Sequence, residues 1–203
     1  MNQELICLAS VSPRRRQLLE QIGVAFEVRP ADIDESSLCH ETPRQFVHRV
    51  ALAKAEHSAK LHRRSKDQII LAADTAVVLD GNIFGKPADN DEACRMLQAL
   101  SGRTHQVMTA VAVVRSGTRL CETSVSDVTF GDLTSEQIDS YVATGEPADK
   151  AGAYGIQGLG AVFVSRLEGS FSGVMGLPLF ETAVLLAQFG VPVLCPVAGD
   201  CTE

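Results

Sequence analysis

An acidic residue lies inside the most strand-like run of the sequence. Asp74 follows Ile69-Ile70-Leu71-Ala72-Ala73 and precedes Thr75 and then Ala76-Val77-Val78-Leu79. Burying a carboxylate in an apolar strand costs free energy unless the carboxylate is paired or binds a metal ion. Asp74 is therefore a candidate metal ligand or general base. The alternative is a carboxylate at the end of a strand that caps a loop.

A second acidic group, Asp32-Ile33-Asp34-Glu35, lies in a polar segment after the second expected strand. Carboxylates from two neighbouring strands would suit Mg²⁺, which takes a few carboxylates together with phosphate oxygens and water.

The six cysteines are scattered without a C-x-x-C pair, so they indicate reduced thiols rather than a zinc site.

Two hydroxyls and an arginine run open the first expected helix, in the order Ser10-Val11-Ser12-Pro13-Arg14-Arg15-Arg16. Arginine in the first turn of a helix opposes the helix dipole, which favours negative charge at that end. Free backbone N–H groups and guanidinium groups there can converge on a phosphate. The sequence thus indicates an anion site, with a solvated arginine run as the equally weighted alternative.

Two further segments could contact a nucleotide. Gly85-Lys86-Pro87 fails as a P-loop, because the spacing from Gly81 is one residue short and Pro replaces the metal-binding Ser or Thr. Lys86 remains a candidate phosphate contact, although a surface lysine is commoner. Residues 146–158 combine charges, Tyr154 and repeated glycines that do not fit G-x-G-x-x-G. An embedded Gln157 amide could contact the polar edge of a nucleobase.

The elements that would position these residues alternate between strands and helices. The expected strands are Leu5–Ala9, Val24–Arg29, Ile69–Leu79, Gln106–Arg115, Arg119–Phe130 and Ala161–Leu167. The expected helices begin at Ser12-Pro13 and Thr42-Pro43 or cover Asp89–Leu100, Thr134–Thr144 and Pro178–Gln188. Residues 168–175 are expected to form a loop with a short extended piece. The pattern predicts one α/β domain over residues 1–190 and a loosely ordered tail over 191–203.

Composition limits the function classes. The 203 residues carry 18 basic and 25 acidic side chains, which gives a net charge of −7. A protein that coats DNA or RNA is therefore not expected, because such binding draws on an excess of Lys and Arg. No apolar run approaches the roughly 20 residues that span a bilayer. The short run at Leu5–Ala9 comes before the arginines, the wrong order for a secretory signal. We therefore expect a cytoplasmic protein without membrane or nucleic-acid partners.

Taken together, the motifs resemble those of the Maf family of nucleoside triphosphate pyrophosphatases, in family order over about residues 5–190. The matching pieces are Leu8–Arg15, Ala73-Asp74-Thr75, Gly85-Lys86-Pro87, Ser101–His105, Gly145-Glu146-Pro147, Asp149–Gly158 and Gly176-Leu177-Pro178. The resemblance implies a two-lobed α/β domain with a mixed, highly curved sheet and an active-site cleft between the lobes. It further implies hydrolysis of a nucleoside triphosphate to the monophosphate and pyrophosphate, with Mg²⁺ or Mn²⁺ as cofactor.

The resemblance also implies individual roles. Asp74 would be the proton acceptor, and Asp74 and Glu35 would bind the metal ion. Matches to family positions that bind substrate or line the cleft are Ser10, Arg14, Arg15, Lys54, Thr75, Lys86, Lys150 and Gln157. With Gln157 at this position, the sequence resembles the subfamily that acts on dTTP and UTP, since the 7-methyl-GTP subfamily typically has Glu there. Two departures are Val11, where many members have Gly, and an extra Arg16.

Three functions remain open at this point. The first is a dTTP and UTP pyrophosphatase that removes non-standard or excess nucleotides, with a link to cell-division arrest and with a homodimer as an option. The second is a pyrophosphatase for other non-standard nucleotides. The third is a nucleotide-binding regulator of cell division without important turnover. Retention of Asp74 and Glu35 favours turnover, because a pure binder needs no general base.

Overall fold

The computed structural model describes residues 4–61 and 67–194, and within them the chain forms an α/β domain. The strands are β1 (Ile6–Leu8), β2 (Phe26–Val28), β3 (Ile70–Leu79), β4 (Asn82–Phe84), β5 (Thr104–Arg115), β6 (Thr118–Phe130) and β7 (Val164–Glu168). The α-helices are α1 (Pro13–Gln21), α2 (Pro43–Leu61), α3 (Asn90–Leu100), α4 (Ser135–Val142), α5 (Phe171–Met175) and α6 (Leu179–Gln188). Short 3₁₀ turns cover Glu146–Asp149, Ala151–Ala153 and Leu159–Phe163.

The seven strands form one mixed sheet in the order β2-β1-β3-β5-β6-β7, with β4 paired to β3 outside this path. β1 is parallel to both β2 and β3, whereas the pairs β3–β5, β5–β6 and β6–β7 are antiparallel. The expectation of a mixed sheet flanked by helices is confirmed. The parallel pairs β1–β2 and β1–β3 require crossover connections. α1 connects β1 to β2, and α2 lies in the connection from β2 to β3, which returns the chain to the other side of β1.

β3 lies near the middle of this sheet because both of its faces are apolar. Side chains alternate between the two faces of a strand. The even-numbered Ala72, Ala76 and Val78 pack with α2 in one cluster. The odd-numbered side chains divide between two other clusters on the opposite face: the first half of the strand packs with α1 and α6, and the second half with α3 and α4. These two clusters on one face correspond to the two expected lobes.

The cleft opens where strand pairing along one edge of β3 is interrupted. β1 pairs with β3 up to Leu71, and β4 pairs with it again from Val77. No described strand covers this edge between those two residues. Because the gap exposes both faces of β3, Asp74 and Thr75 line the same cavity although their side chains point to opposite faces.

Two expected elements are wrong in detail. The run from Ala161 begins as a 3₁₀ turn, and the strand covers Val164–Glu168 instead. The expected loop over 168–175 contains the five-residue helix α5, whose N-cap Ser170 accepts a hydrogen bond from the Gly173 N–H at 3.0 Å. Hydroxyl caps of this kind stabilise a helix too short to form alone.

The first residues after the predicted domain boundary pack on the domain. Val191 is fully buried in the cluster that contains α1 and α6. The Leu194 N–H donates to the Ile22 carbonyl at 3.1 Å. The rest of the predicted tail, from residue 195, lies outside the described residues. In the described part of the chain, no helix combines the length and apolar character needed to cross a membrane.

Candidate active site

A single cleft of about 890 Å³ brings all the sequence-predicted site residues together. They are Ser10, Arg14, Arg15, Glu35, Lys54, Asp74, Thr75, Lys86, Lys150 and Gln157. One wall comes from the end of β1, the start of α1, α2 and the open edge of β3. The other wall comes from the loop after β4 and the glycine-rich segment around residues 146–158. A volume of this size suits a small-molecule ligand such as a nucleotide.

The centre of the first wall is a carboxylate and ammonium group. Asp74 is only 6% exposed, and its Oδ1 accepts a hydrogen bond from the Lys54 Nζ at 2.9 Å. The same Nζ lies 2.8 Å from Glu35 Oε2, so one ammonium contacts both carboxylates. Burial raises the pKa of the Asp74 carboxyl above its usual range, and the charges of Lys54 and Arg15 oppose that rise.

The pair formed by Glu35 and Asp74 fits a hard divalent cation. Both carboxylates reach one point in the cleft, where Lys54 supplies the positive charge in this structure. Mg²⁺ usually takes one or two carboxylates and completes its shell with water and substrate phosphates. The described residues contain no cluster of three or more His, Cys, Asp or Glu side chains that could hold a metal by themselves. A divalent cation bound by these two carboxylates would therefore need water and substrate phosphates to complete its coordination shell.

The start of α1, where the sequence predicts an anion site, forms part of this wall. Ser12 is the N-cap, but its side chain makes no capping hydrogen bond, so the helix end is left open toward the cleft. Open helix N-termini attract anions through free N–H groups and the dipole. Arg14 and Arg15 both line the cleft there. The departure Val11 is exposed, and its carbonyl accepts from Arg16 at 3.0 Å.

The Arg15 guanidinium connects three segments of the first wall. It donates to the Gly176 carbonyl at 2.8 Å, to Ser10 Oγ at 3.1 Å and to Thr75 Oγ1 at 3.3 Å. This planar fork holds the β1–α1 loop and the open edge of β3 in a fixed relation to the turn after α5. Arg15 thus fixes the shape of the cleft as well as its charge.

Thr109 was not identified from the sequence, although it extends this network. It lies opposite Thr75 in the β3–β5 register, with the two hydroxyl oxygens 2.9 Å apart. Its Oγ1 donates to the Gly173 carbonyl at 2.7 Å and so attaches α5 to the sheet. The available signal was a lone hydroxyl within the apolar run of β5.

Basic side chains also line the second wall. Lys150 donates to the Glu146 carbonyl at 2.6 Å and to Asp149 Oδ1 at 2.7 Å. Asp149 also lies 3.8 Å from Arg14 of the opposite wall. Lys86 is exposed at the cleft, and the Gly85 carbonyl before it accepts from the Gly152 N–H at 3.0 Å. That bond holds the loop after β4 beside the glycine-rich segment.

Gln157 is at the exposed tip of the glycine-rich segment and lines the cleft. Within residues 4–61 and 67–194, no hydrogen bond involves its side-chain amide, although neighbouring residues of the segment are bonded to α4 and Glu146. An amide without an internal partner is available to a ligand as both donor and acceptor. Among the described residues, the Gln157 side chain therefore does not brace the loop through hydrogen bonds.

Beneath the second wall lies a buried aromatic group. His105 is 2% exposed, and its Nε2 lies 2.8 Å from the Tyr154 hydroxyl. Both rings contact Phe130 edge to face, with centroids 5.0 and 4.8 Å away. Burial lowers the pKa of His105 to about 4, so the ring is neutral at pH 7. His105 therefore supports Tyr154 at the cleft wall and is not a charged ligand of the substrate.

Comparison with known proteins gives a family and several relatives. The family model for the Maf-like protein matches residues 5–189. A dTTP/UTP pyrophosphatase of Chromobacterium violaceum is 52% identical over 191 residues, which cover 93% of this chain and 96% of that protein. The dTTP/UTP pyrophosphatase of Methylobacillus flagellatus is 53% identical over 194 residues, covering 95% and 96%. Among solved structures, the Staphylococcus aureus Ham1 protein is 14% identical, with a TM-score of 0.48 over 64% of this chain and 73% of that one.

The buried His105 predicts a specific pH dependence of stability. Its pKa is about 4 in the folded chain and about 6.5 in an unfolded one. As pH falls through 6.5 the unfolded state gains a proton that the folded state does not, so stability is lost progressively between about pH 6.5 and 4, by up to about 3 kcal/mol. Urea unfolding at each pH should show this slope in the wild type and a flatter one in His105→Gln.

The control for this measurement is His48→Gln, which replaces an exposed histidine on α2 by the same side chain. Equal slopes in the wild type and in His105→Gln would show that His105 is not a buried neutral residue.

Proposed function

This chain belongs to the Maf family, and from that premise we propose that it hydrolyses dTTP and UTP to the nucleoside monophosphate and pyrophosphate. The relatives at 52% and 53% identity, which span nearly its whole length, support this reaction. The observation that carries the proposal is the arrangement within the cleft. Asp74, Glu35 and a basic group line the cavity on one wall, and Gln157, whose amide makes no hydrogen bond to the described residues, lines it on the other.

The chemistry assigned to the first wall is water activation and charge neutralisation. Asp74 accepts a proton from the attacking water, and burial has already raised its pKa toward that of a useful base. Lys54 keeps the carboxylate in position through its 2.9 Å hydrogen bond. Arg14, Arg15 and the open start of α1 bind triphosphate oxygens and offset the charge that develops on the leaving pyrophosphate.

The cofactor in this proposal is Mg²⁺ or Mn²⁺, held by Asp74 and Glu35. Bound there with the triphosphate, such an ion supplies charge neutralisation and a more acidic water. Lys86 and Lys150 add positive charge from the opposite wall, and Lys150 is already oriented by Asp149 at 2.7 Å. The chain's own groups therefore surround the phosphates from both walls.

Base selection is assigned to Gln157. Its amide can donate to a carbonyl of uracil or thymine and accept from the N3–H, whereas an ionised Glu can only accept. A buried polar group left without a partner costs about 1–3 kcal/mol, or about 5- to 150-fold in discrimination. The amide therefore favours UTP and dTTP over 7-methyl-GTP.

The proposal includes a cellular role. The reaction would take place in the cytoplasm and remove non-standard or excess nucleotides. The proposal links this activity to arrest of cell division. That the chain forms a homodimer stays a prediction. A pyrophosphatase for other non-standard nucleotides would share the phosphate groups of the cleft but not the selection by Gln157. A binding regulator without turnover would need no proton acceptor at the position of Asp74.

Asp74→Asn is expected to lower kcat by at least about 10²–10⁴-fold while the fold persists, because the proton acceptor is lost. Pyrophosphate release from UTP measures the rate, and circular dichroism measures the fold. Asp80→Asn is the matched control, since it makes the same change on an exposed residue directly after β3. A folded Asp74→Asn chain with nearly wild-type kcat contradicts the assignment. Expressing it in cells also tests whether division arrest requires turnover.

Removal of divalent cations is expected to abolish pyrophosphate release, and Mg²⁺ or Mn²⁺ is expected to restore it. The physical reason is that two carboxylates meet at one point in the cleft and need a cation besides Lys54 when the triphosphate arrives. Calorimetric titration with Mg²⁺ and a non-hydrolysed UTP analogue should show weaker metal binding in Glu35→Gln. Full activity after dialysis against excess EDTA would exclude a metal from the reaction.

Gln157→Glu is expected to lower the ratio of kcat/KM for UTP to that for 7-methyl-GTP by about 5- to 150-fold. Thermal stability should hardly change, because the side chain is exposed and makes no hydrogen bond within the described residues. Gln98→Glu, on the exposed face of α3, is the control for the added charge. A ratio equal to that of the wild type would mean that Gln157 does not select the base.

A further inference from the structure

Glu146 is a half-buried carboxylate that the proposed reaction does not use. It begins the 3₁₀ turn Glu146–Asp149 directly after Gly145. Its Oε1 accepts from the Tyr141 hydroxyl at 2.8 Å and from the Gly160 N–H at 3.2 Å, and its Oε2 accepts from the Leu159 N–H at 2.9 Å. One side chain therefore fixes two consecutive backbone amides on the carboxyl side of Gln157.

The amino side of Gln157 is attached to the same group. The Gly155 N–H donates to the Tyr141 hydroxyl at 3.1 Å, and that hydroxyl in turn donates to Glu146. The segment from 155 to 160 is thus held at both ends by Tyr141 and Glu146, with the exposed Gln157 between the two attachments. The tip itself is free to present its amide to the cleft.

The segment lies so close to Glu146 and Tyr141 that a Cβ atom is excluded at two of its positions, Gly158 and Gly160. A Cβ at Gly158 would collide with both carboxylate oxygens of Glu146. A Cβ at Gly160 would lie 2.8 Å from the Tyr141 hydroxyl oxygen and 3.0 Å from the Gly155 nitrogen. Gly158 is therefore required by close approach to the Glu146 carboxylate, and Gly160 by close approach to Tyr141 and to the Gly155 backbone. The glycines of the segment thus have a physical cause.

The carboxylate is held in its charged form. Burial alone would raise the pKa of Glu146, but the hydrogen bonds from Leu159, Tyr141 and Gly160 and the charge of Lys150 outweigh it and lower the pKa. An ionised carboxylate offers acceptors only, which matches three donors. Hydrogen bonds to a charged acceptor are also stronger than neutral ones.

We propose that Glu146 is a positioning residue for base selection, acting through the 155–160 segment to hold the Gln157 amide at the nucleobase. This inference rests on the proposed function, in which Gln157 contacts the base. The Glu146 carboxylate accepts from Tyr141, Leu159 and Gly160, and no hydrogen bond of the described residues joins it to Asp74. Its contribution is therefore expected in the affinity for the correct base rather than in the chemical step.

Glu146→Gln isolates this role because it keeps the size of the side chain. Whichever way the new amide turns, its NH₂ faces either the Leu159 or the Gly160 N–H, which then loses its acceptor. We expect the UTP to 7-methyl-GTP ratio of kcat/KM to fall about 5- to 30-fold, the equivalent of one or two hydrogen bonds. The loss should appear mainly as a higher KM for UTP, with a smaller change in kcat.

Two further variants separate positioning from general destabilisation. Tyr141→Phe removes the hydroxyl that joins Gly155 to Glu146 and should lower the same ratio to a smaller extent. Ile138→Val shortens a buried side chain on the same helix, α4, and leaves the hydrogen bonds of Tyr141 and Glu146 to the 155–160 segment in place. It should lower Tm while leaving the ratio unchanged.

A double-mutant cycle gives the decisive comparison. If Glu146 acts through Gln157, then Glu146→Gln should not change the ratio further in a Gln157→Ala background. An equal effect in both backgrounds, or an unchanged ratio in Glu146→Gln alone, overturns the inference. Backbone amide exchange, read by NMR, should also become faster at Leu159 and Gly160 in Glu146→Gln but not in Ile138→Val.

The failure of base selection is distinguishable from the failure of positioning. A wild-type chain with no preference for UTP would contradict the role of Gln157 in the proposed function. In that case unchanged exchange at Leu159 and Gly160 in Glu146→Gln would contradict the attachment by Glu146, and faster exchange would support the attachment while overturning its role in selection.

Discussion

The arrangement of the site depends on one interruption in the strand pairing along β3. β1 covers an edge of this strand as far as Leu71, β4 covers it again from Val77, and no described strand lies between them. Elsewhere β3 is buried on both faces, and a carboxylate there would be strongly unfavourable. At the gap, Lys54 reaches Asp74 from α2, and the cavity admits water and ligand. The same gap places Asp74 and Thr75 in one cavity even though they face opposite sides of the sheet.

Much of this could be predicted from the residues, because the predictable parts have local causes. The apolar run around Asp74, the Ser-Pro start of α1 and the turn after β3 each determine an element through neighbours in the sequence. Thr134 and Gln137 form a capping box at the start of α4, where the sequence predicts that a helix begins. The polar residues assigned by resemblance all reach the same cleft.

The parts that could not be predicted have tertiary causes. α5 has only five residues and a glycine in the middle, and its stability comes from Thr109 on β5 and from the Ser170 cap. The 3₁₀ turn Leu159–Phe163 replaces the start of the expected strand Ala161–Leu167, and Glu146, from another segment, binds the first two amides of that turn. Neither contact has a pattern in the sequence. The bridge that Lys54 forms between Glu35 and Asp74 likewise appears only once α2 lies against β3.

The continuity of β3 and β5 has a consequence for motion. These strands, of ten and twelve residues, pass without a break from the cluster around α1 and α6 to the cluster around α3 and α4. Hinge closure requires a few residues at a domain boundary that absorb large backbone rotations, and hydrogen-bonded strands at the centre of a sheet do not supply them. A change in the width of the cleft floor would therefore require the central strands themselves to bend or twist. The surface loops at the rim can move without breaking those strand pairs, and they are the expected route for entry of a ligand and release of products.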